Sequence, residues 1–269
     1  FGVVEKPLSL WEWISGIPGL RKSLVLVGLA IIWELYARYL NNSLLFPSLG
    51  DTFGALVAGI VSGGLLIKIW ASIRVLLIGY AVGMALAAAM TVLAITTRVG
   101  ADILETLTAM FNPLPAIALL PLALIWFGLG EASLVFVLVH SVLWAVTLNT
   151  HSGFRNVSLT LRMVGRNYGL RGFSYVCSIL IPAALANILS GMKIGWAFAW
   201  RTLIAAELVF GVSSGSGGLG WFIYERKNML DIPSVFAGLL AVILIGLIVE
   251  NLIFRTLEKY TVQRWGMQV

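Results

Sequence analysis

Charge is scarce in this chain. Of 269 residues only 11% are Asp, Glu, Lys or Arg, against 59% hydrophobic, and the mean hydropathy is +0.96. Soluble domains carry about 25% charged residues, so a soluble enzyme or binding module is excluded as a description of the whole. Cysteine is scarcer still, with Cys177 alone. A disulfide within the chain needs two, and a cysteine-rich metal site needs more, so Cys177 reads as a small apolar residue. His140 and His151 are the only histidines, and neither has a metal-ligand or nucleophile partner at a useful spacing. Apolar residues run continuously instead of alternating, which excludes a transmembrane β-barrel. No G-x-x-x-x-G-K-[ST] loop occurs, so the chain has no nucleotide cradle of that type. The net charge of +6 comes without a basic, aromatic soluble module, so it does not point to nucleic acid.

What is present is a series of apolar runs. A bilayer core about 30 Å thick needs about 20 such residues per helix. Six runs qualify, at 23–40, 69–94, 103–127, 133–150, 188–210 and 233–254. The expectation is an all-α membrane protein of about six transmembrane helices. Residues 1–22, with Trp11, Trp13, Arg21 and Lys22, read as an amphipathic lead-in at the cytoplasmic interface. Residues 23–254 form the transmembrane domain and 255–269 a cytoplasmic tail. The chain opens on Phe1 and not on Met, so residues ahead of it are expected. Eleven Lys and Arg fall on the side of the termini and four (Arg38, Lys68, Arg226, Lys227) fall opposite. Both termini are therefore expected in the cytoplasm of a multi-pass inner-membrane protein.

Three stretches stand out. In LFPSLGD (45–51), Pro47 and Gly50 break the chain and Asp51 is a candidate helix cap. Gly79, Gly83 and Ala87 make a stripe of small residues where another helix can approach. The run NPLPAIALLPLALIWFGLGE (112–131) carries Pro113, Pro115 and Pro121, each without a backbone N–H. Broken helices in membranes line cavities or are repaired by packing, and both readings stay open for this one.

Between Glu131 and Glu207 there is no Asp or Glu, and 151–178 is too basic to span. Val157, Leu161, Val164 and Tyr168 repeat at helical spacing, with Arg155, Arg162 and Arg166 on another face. Such a short amphipathic helix lies on anionic lipid or docks into a protein. Inside the spans, Arg201 offers a fork suited to an oxyanion, or snorkels or bonds to backbone carbonyls instead. Glu207 reads as an acid that pins neighbouring segments near the outer face. Asn112, Asn149 and Trp126 are further candidates to line a path. Outer loops at 127–133 and 211–232 remain, the latter opening with the Gly- and Ser-rich run GVSSGSGGLG (211–220).

Three motifs in order carry a family resemblance over about 45–254. Gly169, nine residues, then Ile179-Leu180-Ile181-Pro182 resembles the cytoplasmic loop signature of binding-protein-dependent ABC importer permeases. The Glu-Ala-Ala that opens that signature is replaced by Met163-Val164-Gly165. The run from Pro115 through Pro121-Leu122 to Trp126-Phe127-Gly128-Leu129-Gly130-Glu131 is similar to the nitrate, sulfonate, taurine and bicarbonate branch. So is Trp200-Arg201-Thr202-Leu203-Ile204-Ala205-Ala206-Glu207.

The resemblance implies a type I ABC importer permease fold that translocates a small sulfonate-, taurine- or nitrate-like anion. Relatives that carry aromatic acids or vitamin precursors leave the cargo open. It implies a second permease copy, two cytoplasmic ATPase subunits holding ATP and Mg, and a periplasmic or lipid-anchored substrate-binding protein. The chain itself would be no enzyme and hold no cofactor. Leu161, Met163, Val164, Gly165, Arg166, Tyr168, Gly169, Leu170 and Pro182 would belong to the loop that meets the ATPase. The expected contact is apolar (Leu161, Tyr168, Leu170) with an arginine rim. Asn112, Pro113, Pro115, Trp126, Asn149, Arg201 and Glu207 would lie along the path. The rival classes are a self-sufficient secondary transporter or channel, which calls for inverted repeats and mid-membrane acids, and a membrane scaffold.

Overall fold

The computed structural model describes residues 18–210 and 217–263, and every element among them is helical. In chain order these are α1 (Pro18–Leu40), α2 (Leu49–Val61), α3 (Leu65–Thr96), α4 (Arg98–Phe111) and α5 (Ala116–Phe127). They are followed by α6 (Glu131–Arg155), α7 (Leu159–Asn167), α8 (Gly172–Ala183), α9 (Leu185–Phe210), α10 (Leu219–Asn228) and α11 (Ile232–Val262). Trp11 and Trp13, the Gly- and Ser-rich stretch 211–216, and Arg264 lie outside the described residues.

Four of these helices, α1, α3, α6 and α11, are long and apolar enough to cross a membrane. Two bent pairs, α4 with α5 and α8 with α9, bring the number to six. At 1.5 Å per residue the 26-residue α9 reaches about 39 Å, so α8 is not needed for length.

The small-residue stripe decides which helices lie at the centre. A Cβ on Gly79 would stand 2.6 Å from the Leu138 Cβ, and one on Gly83 would stand 2.7 Å from the Val142 Cβ. On the far side of α6, Gly191 and Gly195 do the same for α9, facing Asn149 and Val146. Lipid tails are as apolar as leucine, so close backbone approach and the dispersion it allows, not hydrophobic exclusion, hold α3, α6 and α9 together. Leu76, Val137, Leu138, Val142 and Leu203 fill this centre and are almost fully buried. α1 stands at the edge, tied by the Trp33 indole N–H to the Pro47 carbonyl (3.0 Å) and by packing of Trp33 and Phe46 on Phe236.

Three local readings change. At the start of α2 it is Ser48 that caps, accepting from the Asp51 N–H at 3.1 Å, while the Asp51 carboxylate receives the Ser48 N–H at 3.4 Å. Asp51 is thus the third residue of a reciprocal capping box and not the cap itself. The outer segment 211–232, expected as loop, contains the helix α10, whose buried Phe222 and Ile223 pack on Gly238 of α11. The last span continues as helix to Val262, and the ladder widens to i→i+5 bonding over Val249–Phe254.

Candidate functional site

The third span is broken where the prolines fall. α4 ends at Phe111, the axis turns by 89°, and α5 begins at Ala116. Asn112 N–H still reaches the Thr108 carbonyl at 3.0 Å, but Pro113 offers no N–H to Ala109 and Pro115 none to Phe111. Leu114 N–H turns back to Phe111 at 3.1 Å and Ala118 N–H to Pro115 at 2.9 Å, which closes a tight corner. Pro121 has no part in the break. It sits in the first turn of Leu120–Phe127, where a missing N–H costs little.

Facing this corner is a cavity of about 320 Å³ walled by α6 and α9. Asn112, Pro113, Pro115 and Arg201 all line it, joined by His140, Ser141, Trp144 and Thr202, which the motifs do not single out. Arg201 lies nine residues, about 14 Å along the helix, from the Phe210 end of α9. Its Nε donates to the Ala197 carbonyl at 3.0 Å and its guanidinium sits 5.2 Å from the Phe198 ring centroid. No carboxylate lies within ion-pair distance of it among the described residues.

Arg74 and Lys193, by contrast, do have acids. Arg74 meets Glu131 at 3.5 Å, and Lys193 bridges Glu250 and Glu258 of α11.

Two more residues of the same wall carry ring nitrogens without partners. Trp144 is only 7% exposed, and its indole N–H has no acceptor. Phe111 stacks on it with ring centroids 5.8 Å apart and planes within 7°. His140 lies edge-on to both rings, near the Phe111 carbonyl, without closing a hydrogen bond from either nitrogen. Ser141 and Thr202 bond each other at 3.1 Å. A buried N–H with no partner costs about 1–3 kcal/mol.

Three expected path residues lie elsewhere. Trp126 stands with Phe127 and Phe136 at the C-terminal end of α5. Asn149 donates to the Ala145 carbonyl at 2.8 Å and packs on Gly191. Glu207 is 3% exposed near the Phe210 end of α9. The Ser72 hydroxyl reaches both its oxygens at 2.8 Å, and the Gly220 N–H donates to it at 2.8 Å. Leu219 N–H in turn donates to Ser72 Oγ. Glu207 thereby holds the first turn of α10 against α3 and α9, and a Cβ on Gly218 would collide with its carboxylate.

The basic segment folds as α7, capped by Ser158 at its start. Gly169 ends it at φ +72°, with Gly169 N–H bonded to the Arg166 carbonyl (2.9 Å) and Leu170 N–H to that of Gly165 (3.0 Å). That paired closure needs a left-handed residue, which explains the glycine of the signature. Gly165 is buried against Tyr175 and Ile179. Leu161, Met163, Val164 and Tyr168 are exposed, Tyr168 by 81%, while Leu170 is half-buried. Pro182 follows the i→i+5 turn Val176–Leu180 in α8.

Two residues depart from the amphipathic pattern. Val157 precedes the helix and is buried with Phe154, Val176 and Leu180. Arg162 turns inward instead of joining an exposed rim. It donates to the carbonyls of Phe154 (2.7 Å), Val157 (3.1 Å) and Arg155 (3.2 Å), at and just beyond the C-terminus of α6.

Residues 79–261 match the family described as the binding-protein-dependent transport system inner membrane component. The chain belongs to that family. A Methanocaldococcus jannaschii relative named as an ABC transporter permease is 31% identical over 242 residues, 88% of this chain and 90% of its own. The nitrate import permease of Synechocystis is 27% identical over 256 residues, 93% and 90% of the two chains. An Escherichia coli permease named for aliphatic sulfonates is 28% identical over 222 residues, 82% of each. As an ABC importer permease of this family, the chain is an all-α, multi-pass membrane transport component.

Proposed function

We propose that this permease conducts a small oxyanion, sulfonate- or nitrate-like, through the cavity at the α4–α5 corner. The observation that carries the reading is the convergence of the Arg201 guanidinium with the unpartnered Trp144 N–H and the unbonded His140 ring. The site offers donors and positive charge and no carboxylate, in a low-dielectric setting where an anion gains most from both. Asn112, Ser141 and Thr202 add polar groups, while Phe198, Ile117 and Ala145 supply apolar wall for a short organic body. The names of the nitrate and sulfonate relatives agree with this choice.

The remaining parts follow from the family. A second copy of the chain closes the path. A periplasmic or lipid-anchored binding protein delivers cargo at the outer end, where Glu207 and α10 lie. Two ATPase subunits, with ATP and Mg, grip the exposed Leu161, Met163, Val164 and Tyr168 face of α7. With both termini cytoplasmic, α7 lies on the ATPase side, and its Arg162 tie to α6 passes a push on to the helix that carries His140 and Trp144.

The test is ATP-driven uptake by the assembled complex in proteoliposomes. Arg201→Ala should cut uptake of methanesulfonate or nitrate about 10- to 100-fold, the worth of a charge-assisted hydrogen bond, with the complex still assembled. Unchanged uptake of every anion retained by the binding protein would end the assignment.

A further inference from the structure

A second cavity, of about 850 Å³, opens at the other end of the α4–α6 groove and shares no lining residue with the first. We propose that it is a separate oxyanion site, loaded from the ATPase side, that ties α7 to the end of α6. The placement on that side rests on the function proposed above; the site itself rests on what lines the cavity.

The walls come from two layers. Glu105 and Thr108 of α4 and His151 and Arg155 of α6 belong to the membrane-spanning groove. Arg162 and Arg166 of α7 and Tyr175 of α8 belong to the layer that meets the ATPase. Three arginines thus face one carboxylate, Glu105. The chain from Ala132 to Ala206 contains no acid that could balance them locally. A concave, low-dielectric wall with this excess focuses positive potential inward.

Arg162 is committed by its hydrogen bonds to the α6 carbonyls, which fixes its charge in the wall. Arg155 and Arg166 form no ion pair among the described residues and remain to grip a ligand. The Thr108 hydroxyl is a second, independent sign, since it is buried in the same wall with no partner. A cavity of about 370 Å³ shares Arg166, Gly172 and Tyr175 with this 850 Å³ one and adds Arg171, so the basic lining continues outward as an entry.

The ligand chemistry is an oxyanion small enough for the cavity. Transported anion, inorganic phosphate and the phosphate of an anionic lipid share it. An ion held between Arg155 on α6 and Arg166 on α7 crosslinks the two layers. Accumulated product would therefore hold α7 in place and slow the cycle.

Binding is read without ATP or transport, from the thermal unfolding midpoint of the purified complex in phosphatidylcholine nanodiscs. Sodium phosphate and sodium methanesulfonate are titrated against sodium chloride at equal ionic strength. The midpoint should rise with either oxyanion. Arg155→Gln should weaken the response about tenfold in concentration, while Arg201→Ala should leave the Arg155-dependent part intact. If Arg155→Gln does not assemble, Thr108→Val, which keeps the volume and removes the hydroxyl, should weaken the same response.

Phosphatidylglycerol in the nanodisc identifies the source. Competition with phosphate, lost in Arg155→Gln, means a lipid headgroup occupies the site, and no competition means a soluble anion does. Midpoints that follow chloride, or an oxyanion response that Arg155→Gln and Thr108→Val leave untouched, overturn the proposal. Unchanged uptake in the Arg201→Ala experiment would count against the transport reading and leave this binding result standing.

Discussion

Glu207 and Ser72, 135 positions apart, meet in a buried hydrogen bond in which one hydroxyl stands 2.8 Å from both carboxylate oxygens. Ser72 is fully buried, so neither group has water as a fallback. The pair also receives the N–H groups of Leu219 and Gly220, the first two residues of α10. A carboxylate at a helix N-terminus is where the helix dipole favours it. Glu207→Ala strands two donors at once, the Ser72 O–H and the Gly220 N–H, and should cost about 2–4 kcal/mol. For a chain of this size that lowers the unfolding midpoint by about 5–10 °C. Ser72→Ala should cost about half as much, because the Gly220 bond survives. Equal midpoints for Ser72→Ala and the parent would show that the link bears no load.

Gly79→Ala sets two effects of opposite sign against each other. Replacing a mid-helix glycine gains about 0.5–1 kcal/mol in backbone entropy. The new Cβ would stand 2.6 Å from the Leu138 Cβ and 2.9 Å from its Cδ1, and overpacking of that kind costs about 1–3 kcal/mol. The variant should therefore be destabilised. Gly28, in the edge helix α1, has nothing within 4 Å of a built Cβ, so Gly28→Ala should be neutral or stabilising. A cycle that pairs Gly79→Ala with Leu138→Ala should show a favourable coupling term, since the second change removes the Leu138 Cγ and Cδ1 that the first one meets and leaves only the Cβ, on a lighter side chain that can give way. Independent, additive effects would mean that α3 and α6 are not in contact there.

The order of the helices was legible because its signals are local. Apolar runs, the prolines of 112–121 and the Gly79–Gly83–Ala87 stripe each act within a few turns of chain. Gly169 was recognisable as signature before its left-handed closure gave the reason for it. What the sequence did not disclose are partnerships across the chain. Glu207 reads as an anchor, but nothing near it names Ser72. Arg162 has the periodicity of a surface residue, yet it turns inward because the C-terminus of α6, which a wheel of α7 does not contain, offers it carbonyl acceptors. His140 and Trp144 look like ordinary residues of an apolar span. Only the fold shows that they meet Arg201 where α4 breaks.

Gly169→Ala should act on the coupling segment without touching its exposed face. At φ +72° an alanine is strained by about 1–2 kcal/mol. The strain falls on the bond from Leu170 N–H to the Gly165 carbonyl. Hydrogen exchange at Leu170 should accelerate about 5- to 30-fold, and ATP hydrolysis coupled to uptake should fall. Tyr168→Ser and Met163→Asp, both at exposed positions, should instead leave exchange unchanged and weaken co-purification of the ATPase. If both kinds of variant behaved alike, α7 would be a structural brace and not a docking element.

The prolines of the corner permit a test in which stability and function move in opposite directions. Pro113 and Pro115 withhold N–H groups from Ala109 and Phe111, and a proline in a helix interior costs about 3 kcal/mol. Pro113→Ala combined with Pro115→Ala restores both donors, so the backbone gains by straightening toward one continuous helix. Straightening removes the 89° corner that places Asn112, Pro113 and Pro115 in the wall of the Arg201 cavity. The double variant should unfold at the same or a higher temperature and transport at least tenfold more slowly. Pro121→Ala is the control. Its ring occupies the first turn of Leu120–Phe127, and both readouts should stay at the parent's values. Normal uptake by the Pro113/Pro115 variant would mean that the break serves packing alone, and the anion would then have to be sought along another face of α6.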